Sequence, residues 1–437
     1  MKERTVIKEF LHKYRLDATE IDFEENCRAF LEEMTRGLEG KESTLKVIPT
    51  YIEPIQDVPV NEPVIVVDAG GTNLRVATVC FNQEKQPQIS NFAKYPMPGS
   101  YKMMMKDEFF RALADCLEPL LDAGPRIGFC FSYPTEMAPN LDGRLISLTK
   151  EIKVEGVVGE LIGENLLKAF RSKGYRTEKK IVLLNDTTAA LLAGTVVSTD
   201  RTYDDYIGFI LGTGMNTCYI ESRERIKKVS TWENGQRMII NVESGNYGKA
   251  PRGALDLEFD SHQNNPGQYV FEKMISGAYL GKLVLTVLKK AAAEGIFSAS
   301  FAKVLAGINR LETKDVNDFM HYPPSLLNPL TPCIKEGRDK DSRLTYWLMD
   351  AIIERGAVFA AVNLASLMLK TGKGISPCRP VGITAEGTTF YTMKGLKNKI
   401  AYYLKKYLVE EKGINYEFIS VDHAVLIGSA LAGLTGN

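Results

Sequence analysis

Two glycine turns, each between two apolar runs rich in β-branched residues, constrain the fold of this chain more than any other feature. The first turn, Gly70-Gly71-Thr72, follows an apolar run over residues 64–69, and the second, Gly212-Thr213-Gly214, follows another over residues 206–211. A buried-looking strand, a glycine turn and a second short strand are typical of a tight β-hairpin. Two such hairpins about 140 residues apart predict two related half-domains.

The residues of these turns are also suited to holding phosphate. Glycine adopts positive φ and, because it has no Cβ, it lets backbone N–H groups and a threonine hydroxyl come close to phosphate oxygens. Asp68 could hold a water on Mg²⁺, and Arg75 could offer its planar guanidinium to phosphoryl oxygens. Each feature alone could also be purely structural: the glycine turns as plain hairpins, Asp68 as a turn cap and Arg75 as an exposed strand residue. The two turns together favour a polyphosphate held between two half-domains.

Composition excludes several functional classes. The 437 residues include 54 basic and 54 acidic side chains, so no net charge points to nucleic acid or an anionic membrane, and small molecules are the expected partners. We expect no apolar stretch that reaches the roughly 18 residues of a membrane span, and the start of the chain lacks the apolar core of a secretory signal. The chain is therefore expected to be cytoplasmic.

The cysteines also favour a cytoplasmic protein, and the histidines disfavour two kinds of site. The seven cysteines are scattered and none is in a C-x-x-C spacing, which is typical of a reducing compartment. The four histidines are also far apart, which disfavours a histidine metal site and a Ser-His-Asp nucleophile system.

The chain alternates apolar strand-like runs with helical periodicity, which predicts an α/β fold. Apolar residues recur at helical spacing over residues 23–38, a helix is expected near residues 268–290, and residues 344–369 are expected to form one long core helix. Strands with helical crossovers place ligand-binding residues at their carboxyl ends. Ser132, Asn185 and Asp186 all follow predicted strands.

Asp186 is the best catalytic candidate, because its carboxylate follows the strand at residues 181–184 and precedes a helix-forming run. A helix N-cap is the alternative role for Asp186. A sugar would need a ring of groups that both donate and accept hydrogen bonds. The candidates for that ring are Ser132, Thr149, Lys150, Asn185, Asn216, Glu243 and Glu272.

In this order and spacing the motifs resemble those of the hexokinase family of sugar kinases over nearly the whole chain. The first phosphate motif of that family resembles residues 68–76, its Phe-Ser-Phe-Pro segment resembles residues 131–134, and its sugar loop resembles Leu148-Thr149-Lys150. Asn185-Asp186-Thr187 is similar to the segment that carries the catalytic aspartate. Residues 212–216, 241–245 and 266–277 resemble the second phosphate motif and the two segments that carry the sugar-binding glutamates.

The resemblance implies a bilobal actin-like ATPase fold of the ribonuclease-H type. It also implies transfer of the γ-phosphoryl group of MgATP to the 6-hydroxyl of a hexose, most simply glucose, as the first step of glycolysis. One lobe would comprise residues 59–185 completed by 419–437, and the other residues 186–418 with the helical segment 1–58. The expected partners are a hexose and MgATP, without nucleic acid or a membrane segment, and the expected assembly is a monomer or homodimer.

The resemblance also implies a role for each matching residue. Asp186 would act as the base, with Lys150 and Arg75 offsetting charge in the transition state. Sugar would contact Ser132, Thr149, Lys150, Asn185, Asp186, Asn216, Glu243 and Glu272. The nucleotide would contact Asp68, Gly70, Gly71, Thr72, Asn73, Arg75, Gly212, Thr213, Gly214, Gly387 and Thr388, with Asp68 reaching Mg²⁺ through water.

Two segments depart from the family pattern. A glycine-rich stretch of the family is replaced by apolar residues at 424–427, which we expect to crowd the nucleotide, and Ser244 stands where the family has tryptophan. A sugar sensor without activity shares such a fold, but the retained Asp68, Arg75, Lys150 and Asp186 favour an enzyme. A filament or chaperone ATPase would need no sugar ring.

Overall fold

The structure is a computed structural model that describes residues 2–55, 57–148, 152–175, 178–197, 201–229, 236–323 and 326–435. The strands in these residues are β1 (Ile48–Pro49), β2 (Val64–Gly70), β3 (Asn73–Phe81), β4 (Pro87–Pro96), β5 (Met104–Met105), β6 (Arg126–Phe131), β7 (Thr135–Met137), β8 (Gly143–Leu145), β9 (Val154–Glu155), β10 (Lys180–Leu184), β11 (Asp205–Leu211), β12 (Met215–Ser222), β13 (Arg237–Asn241), β14 (Val381–Glu386) and β15 (Tyr416–Ile419).

The α-helices in the same residues are α1 (Lys2–Lys13), α2 (Phe23–Leu38), α3 (Lys106–Leu117), α4 (Ile162–Ser172), α5 (Asp186–Val197), α6 (Ala254–Ser261), α7 (Leu280–Ala293), α8 (Ala299–Ala306), α9 (Thr313–His321), α10 (Thr331–Glu336), α11 (Asp339–Thr371), α12 (Thr388–Thr392), α13 (Leu396–Leu404) and α14 (Ala424–Thr435). Short 3₁₀ turns occur at Ala18–Glu20, Glu118–Ala123, Arg223–Arg225, Ser244–Asn246 and Glu272–Met274, and a π-helical turn occurs at Lys405–Glu411.

Two mixed sheets repeat one strand order. The N-terminal sheet runs β4-β3-β2-β6-β10, and the C-terminal sheet runs β13-β12-β11-β14-β15 with β1 added beside β13. In the N-terminal sheet β2, β3 and β4 are antiparallel neighbours, and β6 and β10 run parallel to β2. In the C-terminal sheet β11, β12 and β13 are antiparallel neighbours, and β14 and β15 run parallel to β11. The glycine turns join β2 to β3 and β11 to β12. The prediction of two hairpins in two related half-domains is therefore confirmed.

The N-terminal sheet is covered on both faces, which explains its nearly continuous apolar strands. Alternate residues of β2 face opposite sides, because successive side chains of a strand point to opposite faces. Ile65 and Val67 join one apolar cluster with residues of α3 and α4. Val64 and Val66 join another cluster with residues of α5 and α14.

Helices α5 and α14 lie between the two sheets, and glycines allow their close approach. A Cβ on Gly428 would lie 1.9 Å from the Ala189 carbonyl oxygen, and a Cβ on Gly128 would lie 1.7 Å from the Ser429 carbonyl oxygen. On the other side of α5, a Cβ on Gly208 of β11 would lie 2.3 Å from the Thr187 carbonyl oxygen. These contacts hold the first turn of α5 at a fixed place between the two halves of the molecule.

Helix α11 extends the predicted core helix to 33 residues. Its ends are set by local chemistry, because the Asp341 carboxylate accepts the Arg338 N–H at 2.7 Å and Gly372 ends the helix with φ of 65°. By length and composition α11 could cross a membrane, so the expectation that no apolar stretch is long enough was wrong. However, 89% of its most apolar stretch is buried inside the protein, which marks it as a core helix.

Other predicted helices have different bounds in the structure. The helix expected near residues 268–290 begins only at Leu280, because residues 265–279 form turns, including one 3₁₀ turn that starts at Glu272. The lobe boundaries implied by the resemblance stay a prediction. The carboxyl ends of β2, β6 and β10 and the turn after β11 carry the predicted site residues.

Candidate active site

The first glycine turn is open to solvent and is braced from one side. Gly71 has φ of 58°, and a Cβ placed on it would meet nothing within 4 Å. The Tyr133 hydroxyl donates to the Gly71 carbonyl at 2.7 Å, and the Met97 N–H donates to the Thr72 carbonyl at 2.9 Å. The turn therefore exposes its backbone while its position is fixed by contacts from neighbouring segments.

Asp68 and Arg75 face each other across the first hairpin. The Arg75 Nη1 atom lies 2.7 Å from the Asp68 Oδ2 atom, and the two residues are register partners in β2 and β3. Burial raises the pKa of Asp68, and the charge of Arg75 opposes that increase. Asp68 is buried while Arg75 is exposed, so the guanidinium could move towards a ligand and leave the carboxylate to bind water or metal.

Asp186 begins α5, directly between the two sheets. Its Oδ1 atom accepts the Thr187 N–H at 2.7 Å and the Thr187 hydroxyl at 3.2 Å; these are contacts with the next residue and not an N-cap bond, because Asp186 is already the first residue of the helix. Asn185 contributes as well, because its Oδ1 atom accepts the same Thr187 N–H at 2.8 Å. These bonds fix the orientation of the carboxylate at the bottom of the cleft.

Burial, together with the negative charges of Asp68 and Glu243, raises the pKa of Asp186 to about 6, although the hydrogen bonds from Thr187 oppose this increase. A carboxylate of this kind is ionised at neutral pH but is a stronger base than an exposed aspartate. The two charges that raise its pKa belong to a phosphate-motif residue and a sugar-site residue. Asp186 therefore interacts with charged residues of both predicted subsites.

Polar side chains from three segments meet beside Asp186. The Asn216 Nδ2 atom lies 2.8 Å from the Asn241 Oδ1 atom and 3.4 Å from both the Asn185 Oδ1 and the Glu243 Oε1 atoms. Asn241 donates in turn to the Glu243 Oε1 atom at 2.8 Å. Glu243 has φ of 57°, an uncommon conformation for a residue with a side chain. Burial raises the pKa of Glu243.

Glu272 connects this polar group to the second glycine turn. Its Oε2 atom accepts the Met215 N–H at 2.9 Å, and a Cβ on Gly214 would come within 2.8 Å of the same oxygen. Burial raises the pKa of Glu272 to about 7, and the charge of Glu243 adds to this effect. Glu272 lies on a 3₁₀ turn rather than on the helix that its motif suggested.

The second glycine turn is held from several sides. The Gly212 carbonyl accepts the Gly277 N–H at 2.8 Å and the Thr389 hydroxyl at 2.9 Å, and the Ala278 N–H donates to the Thr213 carbonyl at 3.0 Å. Gly387 has φ of 115°, and a Cβ on it would lie 2.4 Å from the Leu211 carbonyl carbon. Gly387 therefore lies directly beside the second turn.

A groove of about 980 Å³ borders this turn. Gly277 and Ala278 form part of its wall, together with Lys282 of α7 and Thr313 of α9. The groove has room for a nucleoside next to the phosphate motif.

The structure brings most predicted site residues together. Ser132 follows β6, its N–H donates to the Ala69 carbonyl at 3.0 Å, and a Cβ on Gly70 would lie 3.4 Å from its Oγ atom. Thr149 and Lys150, the predicted sugar-loop residues, lie outside the described residues. The individual roles of all these residues stay predictions.

Sequence reasoning missed Asn241, Tyr133, Gly277 and Thr389. Asn241 lies two residues before Glu243 in the motif at residues 241–245, and this closeness to a predicted sugar-binding residue could have identified it. The contacts of Gly277 and Thr389 with Gly212 join segments 65 and 177 residues apart, and no local pattern predicts them.

Comparisons with known proteins decide the family. Two sequence models described as hexokinase match this chain, one over residues 206–435 and the other over residues 6–196. The chain belongs to the hexokinase family. Human hexokinase-1 is 30% identical over 411 residues, which are 88% of this chain and 43% of that protein. The chain therefore spans less than half the length of that curated hexokinase.

A second relative is similar in length. Hexokinase-1 of Schizosaccharomyces pombe is 28% identical over 431 residues, which cover 92% of this chain and 85% of that hexokinase. Among solved structures, a Schistosoma mansoni hexokinase complexed with glucose has a TM-score of 0.79, 22% identity and 99% coverage of both chains. This likeness confirms the hexokinase fold, bilobal and α/β, that the sequence implied.

Proposed function

We propose that this hexokinase family member transfers the γ-phosphoryl group of MgATP to the 6-hydroxyl of a hexose, most simply glucose, and so catalyses the first step of glycolysis. The observation that carries the proposal is the position of Asp186. Its carboxylate interacts electrostatically with Asp68, which precedes the first glycine turn, and with Glu243, which belongs to the polar side chains beside the second.

Asp186 would accept the hydroxyl proton as the hydroxyl oxygen attacks phosphorus. With its pKa near 6 the carboxylate is ionised at neutral pH, and its fixed hydrogen bonds to Thr187 keep it oriented without blocking the second oxygen. A positioned base of this kind contributes roughly 10²- to 10⁴-fold to a proton-transfer step. Arg75 and Lys150 are proposed to offset charge on the transferring phosphoryl group.

A hexose would bind to the polar ring of Asn185, Asn216, Glu243 and Glu272, with Ser132, Thr149 and Lys150 completing it. Carboxylates and amides at hydrogen-bonding distance of each other suit a ligand whose hydroxyls both donate and accept. Ser132 directly follows β6 of the N-terminal sheet and Asn216 lies in β12 of the C-terminal sheet, so the sugar would bind both halves of the molecule.

The residues present fit a magnesium nucleotide. The first turn leaves backbone groups accessible at Gly71, and Asp68 supplies one carboxylate at the end of β2. Within the described residues no three histidine, cysteine or acidic groups are placed to enclose a metal ion. A single carboxylate suits Mg²⁺, which keeps several waters and binds mainly through phosphates. When bound, the ion would neutralise phosphate charge.

The expectation that residues 424–427 crowd the nucleotide stays a prediction. Leu426 and Ile427 of α14 are buried in an apolar cluster, and the nucleoside-sized groove lies beside Gly277 and Ala278. We therefore propose that nucleotide choice depends on this groove and the glycine turns, among them Gly387 with Thr388. Steady-state kinetics with ATP, GTP, UTP and pyrophosphate would measure it.

The proposed setting is the cytoplasm, with a hexose and MgATP as partners, no nucleic acid, and a monomer or homodimer as the assembly. The seven cysteines are all free thiols, in agreement with a reducing compartment.

A coupled assay of ADP release tests the activity. It should be run with MgATP and each of glucose, mannose, fructose and glucosamine, and we expect sugar-dependent turnover with at least glucose. Calorimetric binding of glucose without any turnover would identify a sugar sensor instead. Absence of both would refute the proposal.

A further inference from the structure

We propose that Tyr269 is a specificity-determining residue that forms one wall of the sugar site. This inference rests on the proposed function. The first observation is the backbone of Tyr269, which has φ of 51°. That conformation is unfavourable for a residue with a bulky side chain and persists only where the surrounding structure imposes it.

A buried ion pair imposes this conformation. Lys273 is buried, and its ammonium group donates to the Asp260 carboxylate at 2.5 Å and to the Asn265 carbonyl at 2.6 Å. The Gly267 N–H also donates to Asp260, at 2.8 Å. The Lys273 N–H then closes a turn by donating to the Tyr269 carbonyl at 3.0 Å. The segment from Asn265 to Lys273 is therefore anchored at both ends.

The same turn carries Glu272. Between Tyr269 and Glu272 lie Val270 and Phe271, which are both buried in the protein, whereas Tyr269 and Glu272 are only half-buried. Glu272 points to the cleft, because its carboxylate accepts the Met215 N–H. With the two intervening side chains in the core, Tyr269 is placed on the cleft side with Glu272.

Charge supports this placement. Burial raises the pKa of Tyr269, and the carboxylates of Glu243 and Glu272 raise it further, so the phenol is close to both predicted sugar-binding glutamates. It remains protonated at neutral pH and can donate a hydrogen bond. The flat ring would pack against the C–H face of a hexose and limit the size of a substituent there.

The test separates the side chain from the backbone strain. Tyr269→Gly removes the wall and also the strain, so we expect a weaker sugar site, while its Tm reflects the balance between relieved strain and the lost packing of the half-buried ring. The ratio of kcat/KM for glucose to that for mannose, galactose or N-acetylglucosamine should fall by about tenfold for at least one of the three, mainly through KM. Tyr269→Phe keeps the wall and should retain each ratio within about twofold.

Arg15→Gly is the matched control. Arg15 is exposed, has φ of 54° and ends the turn after α1, far in sequence from the sugar site. It relieves the same kind of backbone strain and should leave all sugar ratios unchanged. Ratios that stay within about twofold in Tyr269→Gly would overturn the inference. If the wild-type protein neither binds nor phosphorylates any hexose, the proposed function itself has failed, a result distinct from unchanged ratios.

Discussion

The two glycine turns look alike in sequence but differ in how they are held. The first is exposed, and a Cβ on Gly71 would meet nothing. The second accepts hydrogen bonds from Gly277, Ala278 and Thr389, and its Gly214 leaves no room beside Glu272. One turn is therefore open for a ligand to approach, whereas the other is built into the structure that also holds a sugar-site carboxylate.

This difference suggests a division of work. The first turn, with Asp68 and Arg75 opposite each other, carries charged groups that can rearrange around phosphate. The second turn would transmit the position of the sugar carboxylate to the nucleotide, through the bond from the Met215 N–H to Glu272. Asp186 lies between the two.

The largest expected effect tests whether both turns serve one reaction. Asp186→Asn keeps the oxygen that accepts the Thr187 N–H but removes the base, so kcat should fall by roughly 10²- to 10⁴-fold while glucose binding is nearly retained. Turnover and calorimetric glucose affinity should be measured together. The exposed Asp122→Asn should behave as wild type, and near wild-type turnover of Asp186→Asn would exclude its role as base.

A pair of alanine variants compares the turns directly. In Gly214→Ala the new Cβ would lie 2.8 Å from the Glu272 Oε2 atom, so the carboxylate must move and the KM for glucose should rise by about tenfold. Gly71→Ala meets no atom but places alanine at φ of 58°, which costs about 1 kcal/mol and should affect mainly the KM for ATP. Equal effects on both substrates in both variants would contradict the comparison.

The pH dependence should differ between the two sides of the cleft. Asp186 must be ionised to act, and because its pKa is about 6, kcat should fall as the pH drops below that value. Glu272, with a pKa of about 7, loses its charge earlier as pH falls, so the KM for glucose should rise between pH 8 and pH 6 by less than about tenfold. In Glu272→Gln this change in KM should disappear while the decrease in kcat remains.

The smallest expected effect is on shape. A sugar that binds Ser132 on one half and Asn216 and Glu272 on the other favours a closed state, because closure completes its contacts. Small-angle scattering should show a smaller radius of gyration at saturating glucose. With galactose at a concentration that does not bind, the radius should stay constant, and an unchanged radius with bound glucose would argue against closure.

Much of the fold could be predicted from the sequence, because its elements have strong local patterns. The apolar runs before Gly70 and Gly212 predicted β2 and β11, and helical spacing predicted α2 and α11. Residues 268–279 were predicted as helix and form turns instead, since Lys273 and Asp260 make a long-range bond that no local periodicity shows. The same limit applies to Leu426 and Ile427, whose burial depends on distant strands.

For the site, the sequence identified the residue types and their order but not their mutual distances. Asn185, Asn216 and Glu243 were each selected, and the structure places both Asn185 and Glu243 within hydrogen-bonding distance of Asn216. Asn241, which bridges two of them, was passed over because an asparagine at a strand end has many ordinary roles. The strained backbone of Tyr269 is visible only in three dimensions.

The location of α14 has a consequence for the order of biosynthesis. This helix covers β2 and β6, yet residues 424–435 follow all the strands of the other sheet in the chain. At roughly 5–20 residues per second, the ribosome needs on the order of ten seconds or more after β10 before it releases them. Throughout that interval one apolar face of the N-terminal sheet has no α14 over it. A nascent chain of this kind offers a binding site for chaperones that the finished protein does not have.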